Sequence, residues 1–130
     1  MLSVDTNVLV RVLVDDTEAE QQCAVARQTV ANARHIFVSQ VVQIETAWVL
    51  TRAYGLNQVE LKTVFERLIA HNAFTLQHFH IFQSALDSFV SSHTDFADCM
   101  ILAESQYAHS ILATFDKKLS RQQGCLLLSP

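Results

Sequence analysis

Short apolar runs alternate with longer segments of helical period along the whole chain, and this alternation constrains the fold more than any other feature. The runs with the length and composition of strands are residues 2–4, 36–38, 74–76, 110–114 and 125–128. Because strands separated by helices pair in parallel, this order predicts an α/β fold whose parallel sheet is covered by helices on both faces.

Apolar periodicity and capping residues predict the helices between these strands. The first predicted helix covers residues 7–13, and the second has an apolar stripe at positions 19, 23, 26, 30 and 33. The third begins after Ser39 and runs to about 54. Further helices are predicted around 61–69, 82–90 and 100–107, with a helical turn at 117–121. Ser39, Asn57 and Asp95 are placed as N-caps, and Glu60 completes a capping box with Asn57. Residues 15–17 supply capping groups for the second helix.

Length and composition set the class of protein. A chain of 130 residues that is half apolar predicts one domain, residues 1–130, and its two glycines and one proline favour a helix-rich fold with short connections. The net charge of −4 argues against non-specific binding of nucleic acid over the whole surface, although a local basic patch is compatible with it. Three cysteines without C-x-x-C spacing are expected to be buried, reduced thiols. With no signal-type leader and no apolar run long enough for a bilayer, the sequence predicts a soluble cytoplasmic protein.

Two aspartates directly follow predicted strands. Asp5 stands at the carboxyl end of the first strand, and Asp116 lies just past the end of the fourth. Open α/β sheets bind ligands beyond the carboxyl ends of their strands, where the winding reverses. If strands one and four are neighbours at that point, the two carboxylates face a common crevice.

Glu45 is an acid in an apolar stretch of the third helix. The residues three and four positions away are all apolar: Val41, Val42, Trp48 and Val49. The pattern predicts that Glu45 faces the core, where a charge is costly unless it is paired or bound to a metal. An ion pair with Arg52, seven residues on, is the alternative without a catalytic role.

Asp98 lies in the first turn of a predicted helix, three residues after Asp95. Acids are favoured there by the helix dipole and by capping, so a structural role explains Asp98 alone as well as a catalytic one does. Asp98 becomes a candidate because it would be the fourth acid of a set with Asp5, Glu45 and Asp116.

Several carboxylates that converge on one crevice repel each other, so either some bind protons or a cation neutralises them. Oxygen-only ligands without clustered histidine or cysteine suit Mg²⁺ or Mn²⁺ rather than Zn²⁺. Such an ion can polarise a phosphodiester and lower the pKa of an attacking water. The four acids therefore predict a divalent-metal site.

Four motifs in this order resemble the PIN-domain family, and within it the VapC-type toxins of bacterial toxin–antitoxin pairs. The motifs are Asp5-Thr6-Asn7-Val8-Leu9, Val42-Gln43-Ile44-Glu45, Asp95-Phe96-Ala97-Asp98 and Thr114-Phe115-Asp116. Each motif alone is weak, but the likeness extends over essentially the whole chain in length, order of elements and motif positions. It implies a three-layer α/β/α fold with a parallel sheet of about five strands.

The resemblance also implies an activity, a cofactor and partners. The expected activity is metal-dependent cleavage of RNA phosphodiester bonds with Mg²⁺ or Mn²⁺. The acids that match the family's catalytic and metal-binding positions are Asp5, Glu45, Asp98 and Asp116. The residues that match its supporting positions are Thr6, Asn7 and Thr114, with Asn7 expected to hold Asp5 by hydrogen bonds. Asp95 is expected first to cap its helix and second to support the site. VapC-type toxins commonly form homodimers and are inhibited by a small antitoxin, so both partners are implied beside the RNA substrate.

Arg11 and Lys117 are the basic residues best placed to contact RNA phosphates, which would position a strand without reading its bases. An ordinary solvated surface is the alternative for both.

Two other classes of function remain open. A receiver-like phospho-acceptor domain needs an acidic pair directly after the first strand, yet Asp15 and Asp16 come about ten residues beyond Asp5. The other is a non-catalytic module that keeps its acids to bind a metal or a partner.

Overall fold

Strands and helices alternate along the chain as predicted. The structure is a computed structural model that describes all 130 residues, which form two compact units, Met1–Phe79 and His80–Pro130. Every strand pairing in either unit is parallel. The predicted class, an α/β fold built on parallel strands, is confirmed, whereas a single domain over residues 1–130 stays a prediction.

The first unit contains a three-stranded sheet. Its strands, in spatial order, are β1 (Leu2–Ser3), β2 (Ile36–Val38) and β3 (Phe74–Leu76). Its helices are α1 (Thr6–Leu13), α2 (Glu20–Asn32), α3 (Gln40–Arg52) and α4 (Gln58–Ala70). The fully buried side chains include Leu9, Ile36, Val38, Leu50 and Phe65. Burial of such side chains is the main source of the unit's stability.

The second unit contains a two-stranded sheet formed by β4 (Leu112–Thr114) and β5 (Cys125–Leu127). Its helices are α5 (Phe79–Ser91), α6 (Phe96–Tyr107) and a 3₁₀ helix at Leu119–Arg121. The buried ring of Phe96 packs edge-on against two rings of α5, with centroid distances of 5.5 Å to Phe82 and 5.9 Å to Phe89. These aromatic contacts join the two helices.

Three of the predicted helix caps are confirmed. Ser39 Oγ accepts from the Val42 amide at 3.2 Å, and Asn57 and Glu60 form the reciprocal capping box at the start of α4. Asp95 caps α6. The predicted cap of α2 is wrong, because the helix begins after Ala19 without a side-chain cap and residues 15–17 lie upstream.

Some strand details differ from the sequence prediction. Strand β1 ends at Ser3 rather than at residue 4; it lies at the edge of its sheet, and Leu2 is 40% exposed. Strand β4 begins at Leu112 rather than at 110, because Ser110 is bound back to the end of α6, its amide and hydroxyl both donating to the Ser105 carbonyl.

The three cysteines are free thiols; Cys23 and Cys99 are buried, as predicted, whereas Cys125 is only half-buried. None of the six α-helices combines the length and the apolar character needed to cross a bilayer.

Candidate active site

Asp5 lies where the chain leaves β1 and enters α1. It is the N-cap of α1, and its Oδ1 accepts a hydrogen bond from the Val8 amide at 3.0 Å. The side chain is exposed, and its second oxygen makes no hydrogen bond. Asn7 was expected to hold Asp5, but the Val8 amide does so, since the free N–H groups of a first helical turn face the N-cap residue.

Thr6 connects this position to α3. Its hydroxyl donates to Glu45 Oε1 at 3.1 Å, a contact between residues 39 positions apart in sequence. The hydrogen bond fixes one oxygen of Glu45 and leaves Oε2 without a partner. Because Thr6 directly follows Asp5, the first unit brings two of the four predicted acids to the same end of the fold.

The predicted environment of Glu45 is wrong. Glu45 is exposed, and so are its neighbours Val41 and Trp48, at 65% and 60%. The buried face of α3 is formed by Val42, Gln43, Thr46, Ala47 and Leu50. Apolar residues occur on both faces of α3, so the identity of neighbours three and four positions away did not indicate which face is buried.

The alternative role for Glu45, an ion pair with Arg52, is also contradicted. The Arg52 guanidinium lies over the Trp48 ring, 5.8 Å from its centroid, in a cation–π contact. Glu45 makes its hydrogen bond to Thr6 and no ion pair. Its carboxylate is therefore held in place without its charge being neutralised.

Asp116 lies in the turn after β4. Its amide donates to Thr114 Oγ1 at 3.0 Å, and its Oδ1 accepts from the amides of Lys118 at 2.8 Å and Leu119 at 3.1 Å. Thr114 thus supports the turn, as its place in the motif suggests. The second oxygen of Asp116 makes no hydrogen bond, and the side chain is exposed.

Asp98 is the acid with the most perturbed ionisation. Burial, the charge of Asp95, a side-chain hydrogen bond with Asp95 and the charge of Asp116 together raise its pKa to about 6. Asp95 also caps the helix, since its Oδ1 accepts from the Asp98 amide at 2.8 Å. Three acids of the second unit therefore repel each other, which favours an added proton or a cation.

The acids in each unit fit a hard cation but do not form a complete metal site by themselves. No group of three or more His, Cys, Asp or Glu side chains has the arrangement of a metal site. Asp5, Glu45 and Asp116 each keep one carboxylate oxygen free of hydrogen bonds, and carboxylate oxygens are the ligands that Mg²⁺ and Mn²⁺ prefer. The assignment of the four acids as metal ligands stays a prediction.

The two basic residues predicted to contact RNA differ in their surroundings. Arg11 donates through Nε to Gln22 Oε1 at 2.9 Å and through Nη1 to the Tyr54 hydroxyl at 2.6 Å, and it forms an ion pair with Asp16 at 3.4 Å. Lys117 is exposed and its ammonium group makes no hydrogen bond or ion pair. Lys117 is therefore the better placed of the two to receive a phosphate.

A groove of about 460 Å³ lies between α1 and α2. Asn7, Val8 and Arg11 form one wall, and residues of α2, including Val25 and Ala26, form the other. No carboxylate lines the groove, so it is separate from the acids described above. Asn7 lines this groove instead of contacting Asp5.

Comparisons with known proteins found a matching family model and similar solved structures. A family model described as the PIN domain matches residues 2–124. Among solved structures, the chain is similar to VapC20 of Mycobacterium tuberculosis, described as a sarcin-ricin loop cleaving toxin. That similarity covers 100% of both chains, with 15% sequence identity and a TM-score of 0.46. No curated protein matches the sequence.

Proposed function

This chain belongs to the PIN-domain family, as its four motifs predicted, and we propose that it is a metal-dependent endoribonuclease. We further propose that it is the toxin of a type II toxin–antitoxin pair, because its motifs follow the VapC-type order. The observation that carries the enzymatic proposal is how the structure places the acidic side chains. Glu45 is fixed beside the residue that follows Asp5, and Asp98 is crowded by Asp95 and Asp116.

Asp5, Glu45, Asp98 and Asp116 are the proposed ligands of Mg²⁺ or Mn²⁺. Their donors are all oxygens, and mutual repulsion in the second unit is what a divalent cation would relieve. A bound ion would supply the charge that polarises the scissile phosphate and activates water for attack.

The protein's own residues orient the proposed ligands. The first turn of α1 fixes Asp5 through Oδ1, so that Oδ2 is the oxygen left for a ligand. Thr6 does the same for Glu45, whose Oε2 remains available. Burial and crowding by Asp95 and Asp116 raise the pKa of the Asp98 carboxyl to about 6 in the metal-free protein, and a bound cation would displace that proton.

RNA is the proposed substrate, and Lys117 is the proposed phosphate contact because it is exposed and directly follows Asp116. A small antitoxin and a second copy of the chain are the proposed protein partners in the cytoplasm. The exposed side chains of Val41 and Trp48 on α3 offer apolar surface for such a partner.

The test is RNA cleavage by the chain purified free of antitoxin. Cleavage is expected with Mg²⁺, to stop with a chelator and to return when Mn²⁺ is added. Asp5→Asn should lower the rate by about 100-fold or more, since it removes charge where the ion is held. Asp87→Asn is the matched control, because Asp87 is an exposed acid of α5 whose carboxylate contacts only Gln83 of the same helix. Cleavage that persists with the chelator, or in Asp5→Asn, would contradict the proposal.

The contacts of Asp15 and Asp16 in the first unit do not support the alternative function, a receiver-like phospho-acceptor domain. Asp15 forms an ion pair with Arg27 at 2.9 Å, and Asp16 is bound by Arg11 and Tyr54. The acidic pair that a phospho-acceptor site would need is therefore engaged in contacts within the fold. A non-catalytic module is the remaining alternative, and the cleavage assay separates it from a ribonuclease.

A further inference from the structure

A closed network of polar contacts joins α1 to the end of α3. The Tyr54 hydroxyl accepts from Arg11 Nη1 at 2.6 Å and donates to Asp16 Oδ2 at 2.7 Å. Arg11 and Asp16 form an ion pair at 3.4 Å, and Arg11 Nε donates to Gln22. Asp16 Oδ1 accepts from the Glu18 amide at 2.9 Å. No part of the proposed catalytic function uses these residues.

The network is partly shielded from water and is formed by charge-assisted hydrogen bonds. The side chains of Arg11 and Asp16 are only 18% and 22% exposed. Hydrogen bonds between a charged group and a partner are about twice as strong as those between neutral groups. Tyr54 is central, because its hydroxyl contacts both charges and it lies two residues after Arg52, the last residue of α3. Gly55, at φ +65°, adopts the left-handed conformation that lets the chain turn away after it.

Helices α1 and α3 are thus linked by polar contacts at two points. The first is the hydrogen bond from Thr6 to Glu45, and the second is the contact from Arg11 to Tyr54. At a rise of 1.5 Å per residue, Thr6 and Arg11 are about 8 Å apart along the axis of α1. Glu45 lies about 10 Å along α3 from Arg52, its last residue, and Tyr54 follows two residues later. Because helices move as rigid rods over such lengths, a shift at the second point displaces the first.

We infer that Arg11, Asp16 and Tyr54 are positioning residues: they hold α1 and α3 so that the hydrogen bond from Thr6 keeps Glu45 in its catalytic position. The inference rests on the proposed ribonuclease function. It gives Arg11 a role different from the predicted phosphate contact, since two of its three guanidinium nitrogens already bind protein groups. The network acts through the Thr6–Glu45 hydrogen bond, and none of its members touches the reacting atoms.

The first test separates kcat from KM in RNA cleavage. Tyr54→Phe keeps the ring and removes both hydroxyl contacts, and it should lower kcat by about 10-fold, because small displacements far from the reaction reduce rates strongly. KM should stay within about twofold, since no RNA contact is lost. Tyr107→Phe, the same change at the other tyrosine, 68% exposed, should leave both constants unchanged.

The second test asks whether the effect reaches the active site through Thr6. Thr6→Val removes the hydrogen bond to Glu45 at nearly constant volume. If Tyr54 acts through that bond, the double variant should be only slightly slower than the slower single variant. Independent effects would instead multiply.

A third measurement is independent of activity. In Tyr107→Phe, Tyr54 is the remaining tyrosine, so its ionisation can be followed by ultraviolet absorbance. Burial and the hydrogen bond to Asp16 raise the Tyr54 pKa above 10, and adding Asp16→Asn should bring it down. If the Tyr54 pKa is not raised, the network is absent and the inference fails.

The outcomes separate this inference from the proposed function. A wild type that does not cleave RNA refutes both. An active wild type with an unchanged Tyr54→Phe kcat refutes the positioning role alone. Should Tyr54→Phe fail to fold, Asp16→Asn replaces it, since it removes the charge with little change in shape, and the same loss of kcat is expected.

Discussion

Replacement of Asp98 by asparagine should make the metal-free protein more stable at neutral pH. Burial and the charges of Asp95 and Asp116 raise the folded-state pKa of Asp98 to about 6 from an ordinary value of 3.8. The folded protein therefore binds this proton more tightly than the unfolded chain does. The resulting stabilisation is fully present below about pH 3.8 and is lost as the pH rises through about 6.

The magnitude follows from the shift. About 2 pKa units at 1.36 kcal/mol each set an upper limit near 3 kcal/mol, and the half-buried, solvent-screened position of Asp98 reduces the expected effect to about 1 kcal/mol. In Asp98→Asn the side chain at position 98 is uncharged at every pH, so the variant does not lose stability when the pH rises through about 6. Its amide also keeps a donor for the side-chain contact with Asp95, and the backbone bond from residue 98 to Asp95 is unaffected.

Urea unfolding with a chelator present measures this effect. Asp98→Asn should exceed the wild type in free energy of unfolding by about 1 kcal/mol near pH 7, and the gap should close as the pH falls below about 4. Glu66→Gln, at an exposed acid of α4 without hydrogen bonds, should show no such gap. A variant less stable than the wild type at pH 7, or a gap independent of pH, would refute the account of like-charge crowding.

Two further predictions concern stability and RNA binding. Asn57→Ala removes the capping box at the start of α4 and should lower the free energy of unfolding by about 1 kcal/mol in urea titrations; an unchanged midpoint would show that the box contributes nothing. Lys117→Gln should raise KM for RNA several-fold, flatten its salt dependence and leave kcat nearly unchanged, as expected for a phosphate contact; a fall in kcat alone would exclude that role.

Local features of the fold could be predicted from the sequence because their causes are local. The caps at Ser39, Asn57 and Asp95 each depend on residues within three positions, and the structure forms all three. The order of strands and helices follows from apolar periodicity, and the family follows from the four motifs.

Features that depend on distant contacts could not be predicted in the same way. The face on which Glu45 lies was predicted wrongly, because α3 carries apolar side chains on its exposed face as well, among them Val41 and Trp48. No periodic pattern indicates the role of Tyr54, which follows α3. Its partners, Asp16 and Arg11, lie 38 and 43 positions earlier in the chain. A tyrosine before a glycine at a helix end is the only local signal of its role.

Binding of Mn²⁺, measured by titration calorimetry on the wild type and four single variants, tests the central claim most directly. The variants are Asp5→Asn, Glu45→Gln, Asp98→Asn and Asp116→Asn. If the four acids hold one metal centre, the wild type binds Mn²⁺ and each substitution weakens binding by about 10-fold or more. Wild-type binding that survives all four single substitutions, or no binding at millimolar Mn²⁺, would contradict the account.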